Sequence, residues 1–198
     1  MADWNTFSHF FIHLIMHWKI LQSKYLFKDN WLTLRADACE KPDGTIIKPY
    51  YVYEFTDWVT AVPFTKDGKI IMIEQYRHAL GEISIEIPGG CVDPDDNNYE
   101  EACKRELLEE TGYMFEEYTY LCKTSANPST NNNLMHIFLA TGGEWKQSQQ
   151  LDHGEDIKIL LLSVDEVKQL LKENKIIQSM HVTALMYAFE KLGHLNYS

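Results

Sequence analysis

Apolar residues along the chain recur with two periods, and each change of period marks an element. Phe7, Phe10, Phe11, Leu14, Ile15, Trp18 and Leu21 follow helical spacing, so residues 6–22 are expected to form an amphipathic helix whose apolar stripe needs a cover. His9, His13 and His17 stand four apart on its other face, a spacing that would chelate a metal. With no third ligand nearby, it reads as a polar solvent face. From residue 24 to 55 β-branched and aromatic residues dominate, interrupted by the turn residues Lys41-Pro42-Asp43-Gly44, the pattern of a hairpin. Strands are expected over 58–64 and 69–75, joined by Thr65-Lys66-Asp67-Gly68, and over 83–87, where Ser84 and Glu86 share the face opposite Ile83, Ile85 and Ile87. A helix is expected over 98–111, closed by Gly112. Strand-like runs at 134–140 and 157–162 precede helices at 164–173 and 180–192. This mixture predicts an α/β layered sandwich. Residues 1–56 form a small β-rich piece behind the leading helix and residues 57–198 the main domain; no repeat or low-complexity stretch interrupts either.

Composition narrows the class. A chain of 198 residues with 45% hydrophobic residues can bury a sizeable core. Its 18 Lys and Arg against 29 Asp and Glu give a net charge of -11, which opposes the phosphate neutralisation that nucleic-acid binding rests on. A polynucleotide partner is therefore excluded from the leading readings, whereas a small phosphate compound bridged by a divalent cation is compatible. Cys39, Cys91, Cys103 and Cys122 show neither zinc nor redox spacing, which fits a reduced, cytoplasmic compartment. No apolar run approaches the roughly 20 residues of a membrane span, and Asp3 replaces the basic opening of a signal peptide. The expectation is a chain that is neither membrane-bound nor exported.

The chemistry concentrates between Gly89 and Tyr113. Glu106, Glu109 and Glu110 stand at i, i+3 and i+4, so three carboxylates gather on one side of the helix. An ordinary charged face places Lys or Arg four residues from Glu, as Glu100 with Lys104 and Glu101 with Arg105 do. Glu106 and Glu110 are instead four apart from each other, a repulsion of roughly 0.2–0.5 kcal/mol that a bound cation would remove. Mg²⁺ takes such oxygen ligands together with waters and phosphates. Arg105, four before Glu109, would hold a carboxylate in place.

This segment resembles the Nudix family, whose box reads Gly-x5-Glu-x7-Arg-Glu-U-x-Glu-Glu-x-Gly-U with U bulky and apolar. Gly90 begins the box and Arg105-Glu106-Leu107-Leu108-Glu109-Glu110-Thr111-Gly112-Tyr113 completes it; the stretch between is one residue longer, with Asn97 in the place of the first Glu. Beyond the box, the strand ending Glu74-Gln75-Tyr76-Arg77, then Glu86-Ile87-Pro88-Gly89-Gly90, then Pro128 fifteen residues after Tyr113, are similar to the ADP-sugar pyrophosphatase branch. Leu151-Asp152-His153-Gly154-Glu155-Asp156 is similar to the acidic loop from which that branch draws a catalytic glutamate. Members that prefer ADP-ribose often carry a Glu shortly after the proline, where this chain reads Ser129-Thr130-Asn131-Asn132-Asn133.

The resemblance implies an α/β/α sandwich with a mixed sheet and a pyrophosphohydrolase that uses Mg²⁺ or Mn²⁺. It implies Glu106, Glu109, Glu110 and the carbonyl of Gly89 as metal ligands and Arg105 as their positioning partner. Glu155 is the first choice for general base, with one of the box glutamates, Glu110 or Glu109, the runner-up on the helix. Arg77, Glu86 and Pro128 are expected at the substrate, and Trp31 with Tyr50 or Tyr51 as a platform for a nucleobase. The substrate implied is a nucleoside diphosphate derivative, foremost an ADP-sugar such as ADP-ribose; a dinucleotide, another nucleotide sugar or a triphosphate are the alternatives. A silent nucleotide-binding module is disfavoured because all three carboxylates are kept. The apolar N-terminal piece points to a homodimer.

Overall fold

Residues 17–195 are described by the computed structural model, and they sort into two units, each with its own sheet. The first comprises residues 17–55 together with Asn127–Asn132. In it β1 (Lys19–Lys28), β2 (Thr33–Glu40) and β3 (Ile46–Glu54) form an antiparallel sheet in that order. The Lys41–Gly44 turn joins β2 to β3, with Lys41 N–H donating to Thr45 O and Gly44 N–H to Lys41 O, both at 2.9 Å. Arg35 ties the sheet together by donating to Asp37 at 3.0 Å and to Glu54 across the strand pair. The returning segment adds a bridge between Tyr53 and Asn131, and Tyr53 N–H donates to Thr130 O at 2.8 Å.

Residues 19–22, expected at the end of the leading helix, belong to β1 instead. Two bulges, between Ile20 and Gln22 and between Tyr25 and Phe27, break the two-residue alternation. Adjacent apolar residues such as Ile20 and Leu21 therefore imitate helical spacing, while the ladder to β2 decides the conformation. His17 stands outside any element. The rest of the expected helix, with His9 and His13, lies outside the described residues.

The second unit holds a mixed sheet. Its elements are β4 (Trp58–Thr65), β5 (Ile70–Arg77), β6 (Glu82–Glu86), β7 (Gly89–Cys91), α1 (Tyr99–Thr111), β8 (Tyr113–Met114), β9 (Glu117–Thr124), β10 (Met135–Trp145), β11 (Ile157–Leu162), α2 (Val164–Lys172) and α3 (Ser179–Lys191). Strand order is β11-β5-β4-β10-β8, with β6 beside β5, β7 beside β4 and β9 beside β10. β4 and β10 run parallel, Trp58 opposite Met135, and the other pairs are antiparallel.

Those two central strands are apolar nearly throughout because both their faces are covered. Alternation sorts their side chains: Val59, Ala61, Phe138 and Ala140 pack with Ala102, Cys103 and Leu107 of α1. Val62, Phe64, Ile137 and Leu139 pack on the other face with Val167 of α2 and Met180, Ala184, Leu185, Ala188 and Phe189 of α3. The result is an α/β/α sandwich with α1 alone on one face among the described residues. Strand β6 turns Ser84 and Glu86 inward, each 2% exposed, and leaves Ile83 67% exposed, while Ile85 and Ile87 still pack with the core.

Candidate active site

Local signals set the position of α1. Asn98 caps its start by accepting from Glu101 N–H at 3.0 Å, and Gly112 ends it at φ 74°, donating to Leu108 O at 2.8 Å. Tyr99 anchors the first turn: its hydroxyl donates to Asp57 at 2.9 Å and its ring stacks on His136 at 3.5 Å. Glu109 and Glu110 lie in the last turn with no basic residue there, where the helix dipole disfavours negative charge. A helix selected for stability alone would not end this way.

Arg105 organises the carboxylates. One of its terminal nitrogens, Nη1, donates to Glu106 at 2.9 Å and to Glu109 at 3.1 Å. Nη2 donates to Asp96 and to the Cys91 carbonyl, both at 2.9 Å, and Nε donates to Asp96 at 3.2 Å. Asp96 also accepts from Asp93 N–H at 2.8 Å, and Arg105 holds its carboxyl below the usual range. Counted forward from Gly90, the place of the box's first acid falls on Asp96 and not on Asn97. The extra residue therefore lies between Asp96 and the helix, and the loop keeps an acid on Arg105.

Glu110 is buried and accepts from Gly89 N–H at 2.7 Å. Gly89 reaches it at φ 152°, beside Thr60, where a Cβ would stand 2.7 Å from the Thr60 Cα. A Cβ on Gly90 would stand 2.6 Å from the Glu106 carboxylate, so the bare backbone leaves a cradle for that group. Burial raises Glu106 to about 7, with Glu109 and Glu155 adding to the shift against Arg105. Burial likewise raises Glu110 to about 8, assisted by Glu106 and Glu155 and opposed by the Gly89 N–H and Arg77.

Among the described residues no three acidic, His or Cys side chains form a ready-made metal cage. The donor set nevertheless fits a hard divalent cation. It is all oxygen, it has a bare-backbone cradle, and Mg²⁺ needs only one or two carboxylates beside water and phosphate.

Arg77 donates two parallel hydrogen bonds to Glu86, at 2.9 and 2.6 Å. Burial would raise Glu86, but the guanidinium outweighs it and the carboxyl lies below its usual range. His181, buried on α3, sets Nδ1 3.7 Å from Glu86, and burial lowers it to about 4. Glu155 sits in the loop before β11, its carboxylate accepting from Asp152 N–H at 3.0 Å. Its charge acts on Arg77, Glu106 and Glu110, so the structure brings Glu155, Arg77, Glu86, Arg105, Gly89 and the three box glutamates into one neighbourhood.

Trp31 and Tyr50 do not assemble the expected base platform. Trp31, 89% exposed, lies in the β1–β2 turn beyond the Thr33–Glu54 pair, whereas Tyr50 pairs with Asp37, roughly 13 Å farther along the strand. Tyr50 instead meets Trp18 edge-on and donates to Ser129 O at 2.7 Å, next to Pro128. Asp96, Ser84 and His181 were not marked as site residues by sequence reasoning. Asp96 had a signal in the forward count from Gly90. Ser84 had only the alternation it shares with Glu86, and His181 had none.

The NUDIX domain profile matches residues 55–181. The chain belongs to the Nudix family. A second profile, described as the nucleoside diphosphate sugar hydrolase N-terminal domain, matches residues 18–53. Among Nudix relatives, the chain is 31% identical to a methanol dehydrogenase activator of Bacillus methanolicus, over 85% of this chain and 91% of that protein. It is 25% identical to an ADP-ribose pyrophosphatase of Bacillus subtilis with the same coverage, and 28% identical to a GDP-mannose pyrophosphatase of Escherichia coli over 85% and 93%. Its fold is similar to a crystal structure described as an ADP compounds hydrolase, with a TM-score of 0.80 and 24% identity over 91% of this chain and 96% of that one.

Proposed function

We propose that this Nudix protein hydrolyses the pyrophosphate link of a nucleoside diphosphate sugar, with ADP-ribose the leading substrate and AMP and a sugar phosphate the products. One observation carries the reading: Arg105 gathers Glu106 and Glu109 on a single nitrogen while Glu110 is held on Gly89 and Glu155 acts on both buried carboxylates. The pyrophosphatase names of two relatives support it.

Glu106, Glu109, Glu110 and the Gly89 carbonyl would hold Mg²⁺, or Mn²⁺ in its place. When bound, such a cation neutralises phosphate charge and acidifies a water. Arg105 fixes the carboxylates that meet it, Glu155 takes the proton of the attacking water, and Arg77, oriented by Glu86, faces the diphosphate. Residues 1–56 contact the nucleoside through the exposed ring of Trp31 and pair two chains into a homodimer. A cytoplasmic setting belongs to the same reading, supported by four free cysteines and by the absence, among the described residues, of any helix long and apolar enough to cross a membrane. The net charge of -11 argues against a nucleic-acid partner.

Purified protein incubated with Mg²⁺ and a panel of nucleotide diphosphates should release AMP from ADP-ribose, and excess chelator should stop it. Turnover that persists in the chelator would overturn the metal assignment. The GDP-mannose relatives favour a second reading in which the guanine nucleotide is cleaved, and release of GMP in the same panel identifies it. No monophosphate from any substrate would sink the hydrolase reading and direct attention to the relative named as a dehydrogenase activator.

A further inference from the structure

Strand β6 buries two polar side chains, Ser84 and Glu86, and the polar cluster around them is incompletely satisfied. The Ser84 hydroxyl lies near enough to favour the Glu86 charge, yet it has no partner at hydrogen-bonding distance. His181 Nδ1, 3.7 Å from Glu86, is buried without a hydrogen bond as well. Buried polar atoms left unpaired are costly, and native structures keep few of them without a reason.

A cavity of about 290 Å³ opens beside this cluster, lined by Leu80, Ser84, Glu86, Ile177, Gln178 and Met180. That is the lower end of the roughly 300–1,000 Å³ of small-molecule pockets, suited to one ring and not to a whole nucleotide. Each Glu86 oxygen accepts one N–H from Arg77 and keeps a lone pair for a hydroxyl donor. Ser84 both donates and accepts. Leu80, Ile177 and Met180 offer apolar surface to the C–H face of a ring. Glu86 lies three residues before Gly89, whose N–H donates to Glu110 at 2.7 Å, so a short backbone run ties this cavity to the box.

We propose that this cavity is the subsite for the sugar ring of the substrate, with Ser84 and Glu86 binding its hydroxyls. The proposal rests on the nucleoside diphosphate sugar reading above.

The test is Ser84→Ala in the full chain, with Ser84→Thr as the variant that keeps a hydroxyl. Because the hydroxyl is unpaired in the free protein, Ser84→Ala should leave the melting temperature equal or higher. It should raise KM for ADP-ribose about three- to tenfold more than KM for the methyl ester of ADP, which has no sugar on the distal phosphate. Ser84→Thr should recover part of the difference. Equal effects on the two substrates, or a melting temperature that falls along with ADP-ribose affinity, would overturn the subsite and leave a structural serine. Calorimetry with ribose 5-phosphate against methyl phosphate separates this from the hydrolase reading. If the parent cleaves no nucleotide sugar but binds ribose 5-phosphate more tightly than methyl phosphate, and Ser84→Ala abolishes that preference, the subsite stands and the hydrolase reading fails. If no preference exists in the parent, the subsite is overturned whatever the protein hydrolyses.

Discussion

Glu155 spends its hydrogen bond on its own loop, at the Asp152 N–H, while its charge bears on Glu106, Glu110 and Arg77. A general base needs that poise: near the reacting centre but not consumed by it. Glu155→Gln should therefore keep KM nearly unchanged and lower kcat by about 10² to 10⁴, the usual worth of general-base catalysis. Turnover within about twofold of the parent would move the assignment to Glu110. His181 makes a different prediction. Folded, it stays neutral down to about pH 4; unfolded, it takes a proton near its ordinary value of 6.5. The unfolded chain thus binds more protons between those values, so stability is full above pH 6.5 and is lost as pH falls toward 4, by on the order of 3 kcal/mol. Urea unfolding of His181→Asn should show a clearly smaller loss between pH 7 and 4.5 than the parent, and equal losses would refute the assignment. The box glutamates were legible in the sequence because their spacing defies ordinary helix pairing. His181 was not, because a lone histidine in an apolar helix carries no sign of what it will face.

At the level of elements, α1 and the loop before it act as one piece through Asp96, which binds both the Asp93 amide and the Arg105 guanidinium. Asp96→Ala removes the only acid that engages Arg105 from the loop side at hydrogen-bonding distance among the described residues. Loss of such a supporting group typically costs 10- to 100-fold in metal affinity or activity. Mn²⁺ binding followed by calorimetry should weaken by about that factor; a change under twofold would show that α1 alone orients Arg105. Most elements were readable from periodicity, with β11 matched residue for residue and β4, α1 and α2 within one residue of their observed bounds. Four elements resisted. β1 carries bulges that disguise its period, β7 has three residues placed by pairing with β4, and β8 and β9, in a stretch where no strand is expected, are placed by pairing with β10. In each case a contact distant in sequence overrode the local pattern.

For the whole molecule, the open question of covering apolar surface falls on β1, which is exposed along its whole length with Ile20, Tyr25 and Phe27 each at least half exposed. A sheet edge of this kind is a template for pairing. Light scattering at low micromolar concentration should give twice the mass of a single 23.1 kDa chain; a value near one chain would contradict the homodimer. The return of Asn127–Asn132 to the first unit has a separate consequence, for the order in which the protein assembles. Phe55 and Asn132 bond across 77 residues of sequence, and closing so long a loop in a free chain costs on the order of 4 kcal/mol in entropy. Once β4 lies beside β10, with Trp58 opposite Met135, nearly all of that cost has already been met and the bridge from Tyr53 to Asn131 closes over a few residues. The larger sheet therefore forms before this bridge closes onto the smaller one. In pulse-labelled refolding, the Tyr53 amide, bonded to Thr130, should gain protection after the amides of β4 and β10, so that a nascent chain stopped before residue 127 would carry β1, β2 and β3 without the contact that ties them to Asn127–Asn132.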